Sequence, residues 1–324
     1  MPALAAVADV AISIVNHENR ELVRRCLDSL PAACVGLTWR ATVIDNCSGD
    51  GSREMLARDF PDVAVIANRS RLGFGANHNQ VLRPLIAAPP PSPARAVLVL
   101  NDDTVLRPGA VARLLGVLDQ NDKVGAVVPT ILDSEGRAGA SRIAYPSARY
   151  AWRQDWTDIT EPPDPEGFLQ GCCLVLRVAA LAQVGPFDER FFLFYEDTDL
   201  SRRLADAGWA LASCPEAEVV HVGHASVFKP GMVEVTPVQG RRSRYLYLCK
   251  HEGRARAEAI TVVGRLLLLA RGAKALAGAT IRHNPTSGER ARRLFALARH
   301  NPRRPTEPER RAQAGPAPSL TALA

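Results

Sequence analysis

The chain has 324 residues, 47% of them hydrophobic, enough to bury one large core or two modest ones. No stretch reaches the roughly 18 unbroken apolar residues of a membrane span, and no basic-then-apolar leader opens the sequence, so the expected compartment is the cytoplasm. The net charge of +6 hides a split: from Gly240 onward 18 Lys and Arg stand against 5 Asp and Glu, a balance of +13, which leaves residues 1–239 at −7.

Read by periodicity, Val10–Val15 is a strand and Arg20–Leu30 an amphipathic helix with Leu22, Val23, Cys26, Leu27 and Leu30 on one face. The pattern repeats as strand at Thr42–Ile44, helix at Ser52–Asp59, strand at Val63–Ile66 and helix at Ala76–Ile86. This alternation predicts an α/β fold with a parallel sheet and helices on both faces. The proline run at 89–93 must be an exposed loop. Val97–Leu100 follows as a fully apolar strand, then a helix at Gly109–Leu118 and an apolar run at Val124–Val128. Residues 133–165 show no period and are expected to form a long loop over the site. Regularity resumes with Leu174–Leu176, Val178–Val184 and Glu196–Ala207, then short strands at Ala210–Ser213 and Val219–His221.

Beyond Gly240, Arg256–Ile281 reads as one or two helices, packed on the body or lying on an anionic lipid surface. The segment after His300 lacks apolar period and is expected to be disordered. The expected division is a catalytic domain at 1–239, with halves 1–130 and 131–239, a basic helical extension at 240–300 and a tail at 301–324. Seven cysteines, odd in number and without a CxxC pair, argue against a zinc cluster or disulfide framework and read as buried apolar fillers.

Three acidic clusters follow apolar runs. Asp45, in Val43-Ile44-Asp45-Asn46-Cys47-Ser48-Gly49-Asp50-Gly51-Ser52, ends a strand where an acid accepts from a ribose hydroxyl or base N–H; capping of the turn and helix is the alternative. Asn101-Asp102-Asp103 suits a metal-bound pyrophosphate, which needs hard oxygen ligands, or else is a solvated turn. Glu196-Asp197-Thr198-Asp199 opens a helix and supplies carboxylates for proton transfer.

The order of these segments resembles the family 2 glycosyltransferases of the GT-A fold, in particular bacterial rhamnosyltransferases. The resemblance runs from Ser13-Ile14-Val15-Asn16 through the 43–52 turn, Asn68–Asn79, the Asn101–Thr104 turn, Gly185–Phe192, Tyr195–Leu200 and His221–Ser226. It implies a central, mostly parallel sheet flanked by helices, with the extension added at the C-terminal side. It also implies an inverting, metal-dependent transfer of a sugar, with dTDP-rhamnose the preferred donor and a UDP-sugar the alternative. The acceptor would be a saccharide, a lipid-linked sugar or a small molecule, with peripheral membrane contact through the basic region.

By that resemblance the nucleotide-sugar donor is bound by Asn16, Asp45, Gly73, Asn77, Asn101 and Asp102. Asp103 and His221 would hold Mg2+ or Mn2+, with His224 the rival to His221. Asp197 would be the general base beside Glu196, and Gly171 and Asp199 would face the acceptor. The first position of the metal turn is Asn101 where the family pattern has Asp, so its neutral carbonyl offers less charge. Nucleotidyl transfer is disfavoured because no glycine-rich basic loop follows the first strand. A non-catalytic binder of nucleotide-sugar or nucleic acid is the remaining alternative, and the tail's few aromatics make nucleic acid an unlikely partner.

Overall fold

The structure, a computed structural model, describes residues 8–88, 92–146, 164–222, 235–282 and 285–314. Its centre is an eight-stranded sheet. In chain order the first half comprises β1 (Ala8–Asn16), α1 (Arg20–Ala33), β2 (Trp39–Asp45), α2 (Ser52–Asp59), β3 (Ala64–Ala67), α3 (Phe74–Ala87) and β4 (Ala94–Asn101). It continues through β5 (Thr104–Leu106), α4 (Ala110–Gln120) and β6 (Val124–Leu132). The second half adds β7 (Arg142–Ile143), β8 (Phe168–Leu169), β9 (Cys173–Arg177), α5 (Val178–Val184), α6 (Glu196–Asp206) and β10 (Ala210–His221). Helices α7 (Val235–His251), α8 (Arg254–Arg282), α9 (Pro285–Arg299) and α10 (Glu307–Ala314) complete the described chain.

The strand order is β3-β2-β1-β4-β9-β6-β10-β5. The first four strands run parallel, as their β-α repeats require, and the other half is mixed: β9 lies antiparallel between β4 and β6, and β5 antiparallel to β10. β4 is buried along almost its whole length, which is why its sequence is apolar without alternation. On one side of the sheet α1 contributes Val23, Cys26, Leu27 and Leu30, at the three- and four-residue steps of a helix face. On the other, Leu82 and Leu85 of α3, Leu181 of α5 and Leu200 and Leu204 of α6 close a second core.

Several boundaries depart from the sequence reading. The two short strands expected at 210–213 and 219–221 are one strand, β10, whose pairing with β6 shifts between Cys214 and Glu218 around Pro215, which lacks the N–H to continue a ladder. Part of the expected 133–165 loop is ordered: β7 and β8 pair antiparallel, while residues 147–163 lie outside the described residues. The expected boundary at 239/240 falls inside α7. Five of the seven cysteines are buried and all seven are free thiols.

A third core joins the two parts of the molecule. Phe191 and Tyr195, just before α6, pack with Tyr247 and Leu248 of α7, Ile260 and Leu268 of α8 and Leu294 of α9. The tail, expected to be disordered, forms α10 as far as it is described. Thr306 N donates to Glu309 Oε2 at 2.6 Å and Glu309 N donates to Thr306 Oγ1 at 3.5 Å, a reciprocal cap that closes two orphan donors of the helix start. Gln239 on α7 bonds both residues, so the cap is also the dock. Thr306→Ala should therefore cost about 1 kcal/mol locally. Hydrogen exchange should speed up over 307–314 and leave the amides of β1 and β4 unchanged.

Candidate active site

The parallel register brings three polar strand ends to one edge of the sheet. Asn16 pairs with Asp45 across β1 and β2, and Val15 pairs with Asn101 across β1 and β4. Asp45 is fully buried; its carboxylate accepts from Asn16 Nδ2 at 3.3 Å and Ser48 N at 3.2 Å and faces Arg53 Nε at 3.4 Å. Asn16 also donates to Ser48 Oγ at 3.1 Å. This edge is where open α/β sheets bind ligands.

The next loop is held by amides. Asn46 Oδ1 accepts from Leu72 N at 2.9 Å and from Asn68 Nδ2 at 3.1 Å. Asn77 is buried, donating to the carbonyls of Leu72 and Gly73 and accepting from Asn68. Its amide is thus spent on shaping the loop, a correction to the expected donor contact. Gly73 has a similar role. A Cβ there would stand 2.5 Å from the Phe192 carbonyl oxygen, the same oxygen that accepts Phe74 N at 2.8 Å. Both residues shape this loop.

Asp102 and Asp103, adjacent in sequence, face different partners. Asp102 Oδ2 accepts from His17 N at 3.3 Å and Asn19 Nδ2 at 3.0 Å, tying the turn after β4 to the one after β1. Asp103 Oδ1 lies 3.1 Å from His221 Nε2, and Asn101 Nδ2 lies 3.4 Å from the same nitrogen. The approach is built into the sheet, since His221 at the end of β10 pairs with Thr104 of β5. Burial opposes charge on this imidazole, but the Asp103 carboxylate and the Cys172 thiol push it up to about 10. An imidazole nitrogen and a carboxylate oxygen facing one point fit a hard divalent cation whose other ligands are phosphate oxygens. Among the described residues no group of three or more such side chains forms a complete cage. His224 lies outside the described residues.

The second acidic cluster is tied to the first through two residues. Cys172 O accepts from Asn101 N at 2.9 Å, and the preceding Gly171 N donates to Asp197 Oδ2 at 3.0 Å. A Cβ on Gly171 would come within 3.2 Å of the Asp197 Cβ, so glycine permits this approach. Gly171, expected to meet acceptor, anchors Asp197. The other Asp197 oxygen accepts from Thr198 N at 2.7 Å and Thr198 Oγ1 at 3.3 Å. Burial raises Asp197 above the ordinary carboxylate range, against these hydrogen bonds. Burial and the neighbouring Asp197 charge raise Glu196 much further, and its Oε2 meets no hydrogen-bond partner among the described residues.

Phe194 and Tyr195, immediately before α6, both have φ of 68°, the left-handed region that bulky residues rarely adopt. Packing of Tyr195 against Tyr247, with ring centroids 5.9 Å apart, opposes the strain. Asp199 corrects the sequence reading most. Expected on the acceptor side, it is fully buried and bound by Arg203 Nε at 2.9 Å, Lys250 Nζ at 2.6 Å and His251 Nε2 at 2.8 Å. Its pKa is lowered, since these cations and hydrogen bonds outweigh its burial. Lys250 and His251, some 50 residues away, carry no local signal of this contact; only the four-residue step from Asp199 to Arg203 is visible in the sequence.

Because the folded pKa of Asp199 lies below its unfolded value, its contribution to stability is complete above pH ~4 and is lost as pH falls further. Asp199→Asn should destabilise the protein by about 3 kcal/mol or more at neutral pH, since it strands buried cations, and should flatten the acid limb of stability. Urea unfolding at neutral pH and near pH 3 checks both.

The sequence matches the model of the family described as Glycosyltransferase like family 2 over residues 8–234. It is similar to the N-acetylglucosaminyl-diphospho-decaprenol L-rhamnosyltransferase of Mycobacterium tuberculosis, 34% identical over 203 residues, or 55% of this chain and 64% of that protein. A low-salt glycan biosynthesis hexosyltransferase of Haloferax volcanii is 21% identical over 236 residues, covering 66% of this chain and 67% of its own length. Among solved structures, a mannosyltransferase from Pyrobaculum calidifontis in complex with GDP-Man and Mn2+ superposes with a TM-score of 0.53 at 16% identity, over 91% of this chain and 87% of that one. S. aureus TarS, residues 1–349, gives a TM-score of 0.50 at 12% identity, over 90% and 80%. At this identity the likeness is one of fold, the GT-A fold.

Proposed function

The chain belongs to the family 2 glycosyltransferases, and from that premise we propose that it transfers a sugar from a nucleotide-sugar donor to an acceptor hydroxyl, with inversion at the anomeric carbon. The observation that supports this best is the Gly171-Cys172 bridge, whose Cys172 carbonyl holds the Asn101 turn and whose Gly171 N–H holds the Asp197 carboxylate. Leaving group and base thus meet the same short segment, so the two ends of a displacement are kept in register.

In this reading the Asp45 and Asn16 edge receives the nucleoside, and the loop shaped by Asn46, Asn68 and Asn77 forms its wall. Asp103 and His221 would hold Mg2+ or Mn2+, with Asn101 beside them, and a cation there would supply positive charge for the departing diphosphate. Asp197, steadied by Gly171 and Thr198, accepts the proton of the acceptor hydroxyl as its oxygen attacks. Glu196 keeps its own proton, because a second charge in that buried pair is unfavourable. The donor we infer is dTDP-rhamnose, on the likeness to the relative named as an L-rhamnosyltransferase. The acceptor we infer is a saccharide, most readily one carried on a lipid.

Asp197→Asn should lower kcat by about 10^2- to 10^4-fold, the range of a lost general base. Thermal stabilisation by dTDP should be unchanged, and a variant with normal turnover would remove the base assignment. In the wild type the acid limb of kcat/KM should sit above the ordinary aspartate value, because the raised pKa means the base is lost at higher pH. Chelation with EDTA should abolish turnover and weaken dTDP stabilisation, and Mg2+ or Mn2+ should restore both. A panel of dTDP- and UDP-sugars in the transfer assay identifies the donor.

A further inference from the structure

We propose that the outward face of α8 is a docking surface for an anionic lipid bilayer, which brings the catalytic half to acceptors carried in that bilayer. Among the described residues seven large hydrophobic side chains are exposed, and five of them lie on this one helix: Val262 at 53%, Val263 at 45%, Leu266 at 60%, Leu269 at 39% and Leu276 at 48%. Steps of four, three and seven residues from Val262 through Leu266 and Leu269 to Leu276 trace a single face. It runs for about 21 Å at 1.5 Å per residue. The opposite face, with Ala257, Ile260 and Leu268, is buried in the third core against Tyr245, Leu248 and Leu294. The helix is thus apolar on both sides, and only one side has a partner within the described chain.

Charge selects the occupant. On α8 Arg265 and Lys274 are exposed alongside this strip, and from Ala259 to the end of the helix the sequence has no acidic residue. An apolar strip flanked by cations seats at the boundary between acyl chains and anionic headgroups, and it does so without spanning the bilayer. No helix among the described residues is long and apolar enough to cross a membrane. A second protein surface would need acids to match these cations, and the extension offers few: residues 240–324 hold 5 acids against 18 bases.

The surface is also coupled to the site. His251, the last residue of α7, contacts Asp199, two residues beyond Asp197, and α8 begins three residues later at Arg254. A bilayer under α8 therefore lies one helix away from the element that fixes the catalytic helix. This second half rests on the glycosyltransferase reading; the docking itself does not.

The test is flotation of the full chain with vesicles of phosphatidylcholine alone or mixed with phosphatidylglycerol. The wild type should float with the anionic vesicles, less so at high salt. Leu266→Ser combined with Leu269→Ser should lose at least about tenfold in bound fraction, with circular dichroism and dTDP stabilisation unchanged. Three results would overturn the proposal: no flotation of the wild type, equal flotation of the double variant, or a wild-type dimer by light scattering that the double variant turns into monomer. Absence of any nucleotide response would sink the transferase reading while leaving flotation intact, so the two failures are distinguishable.

Discussion

The site depends on one constraint, the register of β1 with its two parallel neighbours. Strands covered on both faces present polar groups to a ligand only at their ends. With Asn16 opposite Asp45 and Val15 opposite Asn101, three such ends fall at one edge. β9 then does what a parallel strand in its place would not. Running antiparallel, it starts where β4 finishes, so Cys172 and Gly171 sit beside Asn101 and reach across to Asp197. The mixed half of the sheet is thus the means by which two distant acidic segments meet.

Within one turn of α6 three carboxyl groups occupy three environments. Asp199 is surrounded by two cationic side chains and a histidine, Asp197 by backbone and hydroxyl donors, and Glu196 is buried with one oxygen that has no hydrogen-bond partner among the described residues. Their proton affinities are therefore ordered, lowest at Asp199 and highest at Glu196, although the sequence writes them almost side by side. Separation of this kind lets neighbouring acids take different roles. In the proposed transfer it is what suits Asp197, rather than Glu196 or Asp199, to the role of base.

The β-α alternation of the first half was legible because each strand and helix carries its own period, and the helix face of α1 matches the expected one closely. That Asp45, Asn101, Asp102 and Asp103 stand at strand ends was legible for the same reason: they punctuate apolar strands. What the sequence hid are long-range partnerships. Nothing local to Lys250 or His251 points to Asp199, and nothing local to Asn77 says that its amide is spent on Leu72 and Gly73. Both were fixed by packing. The α10 helix is a different kind of miss, since Thr306-Glu307-Pro308-Glu309 is a local capping signature. It was outweighed by the low apolar content of the tail, whose order comes from docking on Gln239.

The charge split along the sequence then divides into two parts with different physics. Some of the extension's cations are internal: Lys250 meets Asp188 and Asp199, and Arg203 faces the same Asp199 from the catalytic side. Arg303 meets Glu258, and Arg242 meets Glu309, closing the helical extension on itself. The pairs at Asp199 and Glu309 are shielded from solvent on their acidic side, so salt screens them weakly. Arg265 and Lys274 on α8 are exposed instead, near the exposed leucines and valines, where screening acts in full. A net charge of +13 on this segment is thus not one property. Part of it holds the extension to the catalytic helix and to itself, and another part, at Arg265 and Lys274, is exposed along α8, where an anionic surface would meet it.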